Sequence, residues 1–323
     1  MLTLRQALDA IAAVATPNAR FAHPKLKIDH GVIYAYNGQV AARAKFSGYP
    51  TIGPLVVDAE ALSEVWTSAA TMEQGEKSVT IRTKRTRYTL PVLEAEGFMC
   101  PNIVSADLTL SESARAAVHL AAKFASNNAI HPWACGVSLH KSRAIATNNI
   151  AAVSVECNTM HEGTLPFWAV ETILKSGELP HLNIEESAVT VSYAESGVDF
   201  RSQTLSYPMP PRLFDLVFRL GEGDIPTEDF AGALEEVFVF GGRYCTLDLA
   251  RGMISVDTEV GFNAETELSL RREAAPIVKL QGAVARLVLE NATHIGMQGA
   301  PDRLVFSRNV HPRMVGIASG MRT

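Results

Sequence analysis

A chain of 323 residues, 47% of them hydrophobic and 20% charged, is long enough for two or three globular domains and too apolar for a disordered one. Its formal net charge of −5 argues against a protein that holds nucleic acid by bulk basic charge, so a nucleic-acid role has to work by another route. Four cysteines, Cys100, Cys135, Cys157 and Cys245, lie far apart with no C-x-x-C pair, which argues against a zinc site or a disulfide scaffold and predicts buried free thiols.

The N-terminus has no basic leader and only a short apolar run, Ile11 to Ala15, and no stretch approaches the ~20 apolar residues of a membrane span, so a cytoplasmic protein with no membrane partner is expected. Thr3 and Gln6 fit a capping box, after which Leu4, Ala7, Leu8, Ile11 and Val14 form one apolar stripe of a helix between Thr3 and Ala15. The segment KIDHGVIYAYNGQVAARAKF reads as a hairpin turning at Asn37-Gly38. Asp58 then caps a second helix that buries Leu62, Val65 and Trp66, and SVTIRTKRTRYTLPVL alternates as two strands about a polar bend at Lys84 to Thr86.

The same order of parts returns. A helical pattern at Ser111 to Ala125 precedes a hairpin at Gly136 to Cys157, a helix at Phe167 to Lys175 and strands at Val189 to Tyr193 and Val198 to Ser202. The segment SYPMPPRLFDLVFRLGEGDIP, with its prolines and glycines, breaks the pattern and reads as an ordered linker. A third round follows: a helix at Thr227 to Phe240, a hairpin bending at Arg251-Gly252, a helix at Val278 to Leu289, and strands ending in HPRMVGIASGMRT.

A unit of about 110 residues is far longer than a solenoid repeat, so each is a small domain. The boundaries expected are 1–106, 107–208 and 209–323, with 209–226 as the linker. Helices that precede strand pairs predict an α+β fold of three tandem similar domains, with helices on one face of antiparallel sheets.

The chain has no G-x-x-x-x-G-K-[ST], no G-x-S-x-G and no H-E-x-x-H. Cys157 and His161 could be imagined as nucleophile and base, but a cysteine in an alternating strand followed by a loop histidine reads as core and surface. The nine histidines are scattered, and the carboxylate pairs Glu185–Glu186 and Glu235–Glu236 read as solvated faces. No catalytic residue, metal site or cofactor is expected. An enzyme on an unfamiliar α+β scaffold and a three-domain adaptor without DNA are the competing readings.

Three segments, taken with their order and spacing, carry a resemblance. RAIATNNIAAV is similar to a hairpin of the form VATDGHRLAV, YPMPPRL to a segment F-P-[DE]-Y-x-x-[VIL], and the terminal SGMRT to a closing M-P-M-R-L; GFMCP, Gly97 to Pro101, holds the corresponding place at the end of the first domain. These are features of the bacterial β sliding clamp family, the processivity factors of replicative DNA polymerases, and the chain resembles that family over its whole length. The resemblance implies a non-enzymatic homodimer in which each chain supplies half of a ring. Double-stranded DNA would be encircled without regard to sequence, and DNA polymerase and clamp-loader peptides would be held in a groove.

Carried onto this sequence, the resemblance places Thr147, Asn149, Ile150, Pro208, Arg212, Leu213, Ile317, Ala318, Ser319, Gly320, Met321 and Arg322 around the groove, with Trp133 or Ala134 as an addition. It implies a DNA lining drawn from the helices, where Arg5, Arg20, Arg115, Lys123, Lys175, Lys279 and Arg286 are the basic candidates; the first helix of the third domain is acidic and is left out. The chain departs from the family where Asn148-Asn149-Ile150-Ala151 and Ser319-Gly320 replace bulkier residues. The implied pocket is therefore smaller in side chains.

Overall fold

The computed structural model describes residues 1–15, 25–49, 51–67, 70–94, 98, 100–126, 130–202, 209–239, 241–258, 261–273, 275–297 and 303–320. They form two compact units interleaved along the chain, Met1–Leu110 with Lys175–Ser206, and Ser111–Leu174 with Tyr207–Thr323. Elements are numbered along the chain.

The first unit opens with the capping box. Gln6 N donates to Thr3 Oγ1 and Thr3 N to Gln6 Oε1 at 2.9 Å, which starts α1 (Leu4–Ile11) and buries Leu4, Ala7, Leu8 and Ile11. Then come β1 (Lys25–Asp29), β2 (Val32–Tyr36), β3 (Val40–Lys45), β4 (Leu55–Asp58), α2 (Ala59–Val65) capped by Asp58, β5 (Thr71–Gln74), β6 (Ser78–Arg82), β7 (Arg87–Pro91) and β8 (Leu108–Thr109). Later in the chain β13 (His181–Ile184), β14 (Val189–Tyr193) and β15 (Val198–Ser202) join them. The strands make an eight-stranded antiparallel sheet, β4-β1-β2-β3-β15-β14-β13-β8, and a three-stranded one, β5-β6-β7.

The seam of the large sheet is β3 on β15, where Arg43 lies opposite Asp199 and donates to it at 2.6 Å. Asp199 is buried and also accepts from Ser105 Oγ, so removing either charge would leave its partner uncompensated.

The second unit holds α3 (Glu112–Ala122), a short 3-10 turn at Pro132–Ala134, β9 (Gly136–His140), β10 (Arg143–Thr147), β11 (Ala151–Glu156), β12 (Gly163–Pro166) and α4 (Phe167–Lys175). After these come α5 (Pro211–Phe218), β16 (Ile225–Pro226), α6 (Glu228–Val237), β17 (Tyr244–Asp248), β18 (Met253–Asp257), β19 (Asn263–Glu267), β20 (Val278–Gln281), α7 (Gly282–Asn291), β21 (His294–Gly296), β22 (Arg303–Arg308) and β23 (Met314–Ser319). Its sheets run β12-β9-β10-β11-β23-β22-β21-β16 and β19-β18-β17-β20.

Equivalent residues do equivalent work in successive modules. Asn37 Oδ1 accepts from the amides of Gln39 and Val40, and Asn148 Oδ1 from those of Ile150 and Ala151, each closing the turn after the middle strand. Thr258 Oγ1 takes the same place after β18, accepting from Phe262 N. Among the described residues, tight two-residue hairpin turns occur at His30–Gly31 and Lys141–Ser142, all four residues with positive φ, as a type I′ turn demands.

Three readings change. Gly136 to Cys157 is a three-stranded meander rather than one hairpin, and so is the segment read as a hairpin turning at Asn37-Gly38. The linker holds a helix, α5. The helix expected from Val278 begins at Gly282, after the strand β20, so Lys279 lies on a strand and not on a helix.

α5 also lies on the face of the sheet opposite α3. Alternation sends Val153 and its partner Gly316 to one face, where Phe306 stacks on Phe124 at 5.5 Å, and a Cβ on Gly316 would run into the Phe306 ring. Ala152 and Ile317 point the other way and pack with Ile145, Met209 and Val217 beneath α5. Residues of β10 and β11 are therefore buried on both faces.

Candidate functional site

A groove of about 330 Å³ opens beside α5, on the outer face of β10, β11 and β23. Period-two alternation selects its floor: Thr147, Ala152, Ile317 and Ser319 share that face, while Ala318 turns into the core. One wall is Trp133, whose ring stacks on His131 at 5.3 Å; the other is Leu213 and Leu216 of α5 with Pro210. The turn between β10 and β11 closes the end with Asn149, Ile150 and Ala151.

The polar groups of that turn are largely consumed within it. Thr147 Oγ1 donates to Ala151 O at 2.8 Å and accepts from Asn149 N, and Ile150 O accepts from Ser319 N. What remains toward the opening is apolar surface with three polar guides, the Asn149 amide, the Ser319 hydroxyl and the exposed Arg212 guanidinium, none of which has a side-chain partner among the described residues. Arg212 is the one charged residue of the lining among the described residues.

Of the groove residues expected from sequence, Trp133, Thr147, Asn149, Ile150, Arg212, Leu213, Ile317 and Ser319 come together here, and Gly320 is half-buried at the end of β23. Pro208, Met321 and Arg322 lie outside the described residues, as does Gly97 in GFMCP. Pro210, Ala151, Ala152 and Leu216 line the groove without having been expected. Leu216 lies three residues after Leu213, the spacing that brings two side chains onto one helix face once α5 is recognised as a helix.

The basic candidates for a DNA lining are mostly matched by acceptors. Arg5 pairs with Asp9 at 3.1 Å and donates to Ser63 O; Arg286 pairs with Glu290; Lys123 donates to Asn291 Oδ1 at 2.8 Å; Arg115 reaches Leu174 O. Lys279, on β20, pairs with Asp257 and lies over the Tyr244 ring. Lys175 is exposed at the end of α4, and Arg20 lies outside the described residues. α6 carries Glu228, Glu235 and Glu236 and no Lys or Arg. These helices do not concentrate positive charge.

The thiol chemistry is similarly unpromising for catalysis. Burial pushes Cys157 up to about 11, Cys100 to about 11 and Cys245 to about 12, so near neutral pH all three are thiols rather than nucleophilic thiolates. Among the described residues no cluster of His, Cys, Asp and Glu is arranged to hold a metal ion, and no helix is long and apolar enough to cross a membrane.

A raised thiol contributes stability that is complete below the unfolded value and lost as pH rises through the folded one. Thermal stability is therefore expected to fall between pH of about 9 and about 11. Iodoacetamide at pH 8 should label Cys157 and Cys245 only after unfolding. Labelling of Cys157 in the native chain at the rate of a free thiol would restore the nucleophile reading.

The architecture defines a class of α+β protein in which one helix-and-strand module recurs and neighbouring modules share a continuous antiparallel sheet. Solved structures identify that fold as the one used by bacterial DNA polymerase sliding clamps. A DNA polymerase sliding clamp from Caulobacter crescentus superposes with a TM-score of 0.81 at 15% identity, covering 99% of this chain and 98% of its own. One from Pseudomonas aeruginosa gives 0.80 at 13%, covering 99% and 97%, and the H. pylori beta clamp gives 0.77 at 12%, covering 99% and 98%. No protein-family model matches the chain, and no curated protein matches it.

Proposed function

We propose that this chain is a DNA sliding clamp: a non-enzymatic, cytoplasmic protein that encircles duplex DNA as a head-to-tail homodimer. It would tether a DNA polymerase for processive synthesis through peptides seated in the groove beside α5. The observation that carries this reading is the clamp fold, matched over 99% of the chain. The repeated unit would be the three modules 1–106, 107–208 and 209–323, successive modules being joined by shared sheets.

The free sheet edges support the dimer. Among the described residues, β7 ends the three-stranded sheet and β19 ends the four-stranded one. Elsewhere these two positions in the module pair with each other: β15, the counterpart of β7, lies on β3, and β23 lies on β11. In both seams the first residue of the last strand, Val198 or Met314, faces the residue that pairs with the second position of the middle strand, Ala44 or Val155. Applied to the free edges, the same rule sets Arg87 of one chain opposite Thr266 of another. Tyr88 in β7 and Phe262 just before β19, 37% and 68% exposed, lie along these edges and would be covered.

Weak phosphate contact suits such a protein. Each phosphate neutralised steepens the salt dependence of binding by about −0.9 in the log–log slope, and a matched, partly acidic helix set neutralises few. Retention would come from topology. The test is a nicked circular duplex onto which the protein has been placed by a clamp loader. The protein is expected to stay with the circle through high salt, with a native mass of about 70 kDa (twice 34.9 kDa), and to be lost when the circle is cut. Equal retention on circular and linear DNA would overturn the reading in favour of an adaptor that does not encircle DNA.

A further inference from the structure

A second cavity, of about 460 Å³, lies on the other flank of α5, lined by His140, Lys141, Met209, Phe214, Asp215 and Phe218 among others. It shares Pro210 with the first groove, so the two are separated only by the helix. The cavity is built from the same sheet face: the His140 ring lies tilted against Phe214, centroids 4.7 Å apart, and is held by Glu162 at 2.8 Å, and Arg143 lies over Phe218 at 5.4 Å.

Between the cavities α5 presents an unusual surface. Six of its eight residues are apolar, PRLFDLVF, yet only Val217 is fully buried, and Leu216 and Phe218 stay 39% and 37% exposed. A helix that is apolar on nearly every side belongs inside a protein or under a partner. Its two polar residues, Arg212 at the first groove and Asp215 at the second, have no ion pair among the described residues, and neither does the Lys141 ammonium.

We propose that the partner segment captured by the first groove does not end there but straddles α5, seating one apolar anchor beside Trp133 and a second against Phe214 and Phe218. This rests on the reading of the first groove as a peptide site. The occupant is a single extended protein segment. A helix with its side chains is about 10–12 Å across, and an extended chain advances about 3.3 Å per residue, so the two anchors lie roughly three or four residues apart. A carboxylate beside the first anchor would answer Arg212, and a cation beside the second would answer Asp215.

The probe is a set of dodecapeptides selected from a random display library against the full chain, each compared with a version whose second apolar residue is Ala. Phe218→Ala is expected to weaken the intact peptide at least tenfold, the scale of one buried apolar side chain. It is expected to leave the affinity of the Ala version unchanged, which also shows that the variant is folded; the pair forms a double-mutant cycle. If Phe218→Ala leaves the intact peptide unaffected while Trp133→Ala weakens it, the straddling segment is refuted and the single groove survives. Loss in neither variant refutes both. A Phe218→Ala chain with weakened self-association would mean that a second copy covers α5, and would overturn the proposal as well.

Discussion

Arg87→Glu is expected to abolish the proposed dimer at working concentrations. The pairing rule places Arg87 opposite Thr266, whose hydroxyl donates to Glu236 of α6 at 2.8 Å, so the guanidinium would arrive beside a carboxylate already fixed at the edge. Reversal sets two carboxylates against each other, and like charges juxtaposed at an interface cost several kcal/mol, equivalent to roughly a hundredfold or more in Kd. Glu236→Arg alone should do the same. The double swap should recover most of the affinity, because it restores an ion pair in the opposite sense. Sedimentation equilibrium of the four proteins decides the matter: additive losses in the double variant would mean that Arg87 and Glu236 do not meet, and the predicted register would fall. Retention on circular DNA should follow the dimer, lost in each single variant and regained in the swap.

What the sequence revealed and what it hid divide by range. The capping box at Thr3 and the cap at Asp58 are local, three-residue signals, and both are present as hydrogen bonds. The recurrence of helix and strands was legible because the apolar period changes from 3.6 to 2 at corresponding places in each module. The sharing of sheets was not, since Arg43 and Asp199 are 156 residues apart and nothing local to either strand names its partner. Lys141–Ser142 makes a tight turn with no glycine or asparagine, and so left no signal. β5 buries only Met72 and offered no apolar alternation. α5 was hidden by its own prolines, read as breakers although Pro211 stands at the first helical position, where a missing N–H costs nothing. Because α5 was hidden, Pro210 and Leu216 of the groove wall and all of the second cavity were hidden with it, although the resemblance had already placed Arg212 and Leu213 at the groove.

Trp133→Ala should cost the groove most of its grip. The indole is the largest apolar surface in a lining otherwise made of alanines, leucines, isoleucines, Pro210, Arg212 and small polar residues, and Ser319 and Gly320 add little bulk at the end of β23. The resemblance to the clamp family therefore carries over imperfectly. Where the resemblance implies a Met-Pro pair, this chain has Ser319-Gly320, and the groove takes its large apolar surface from the Pro132–Ala134 turn. The stack on His131 and the contacts with the cluster around Ile145 and Ala152 hold the ring in place before any peptide arrives, so little ordering cost is added on binding. Removing it forfeits the burial of one large side chain and is expected to weaken peptide binding about 10- to 100-fold by calorimetry. Polymerase stimulation should fall with it, while the dimer and its retention on circular DNA stay intact. A Trp133→Ala protein that still binds peptide at wild-type affinity would place the grip elsewhere, on Leu213, Leu216 and Ile317. Loss of the dimer in the same variant would instead make Trp133 a structural residue.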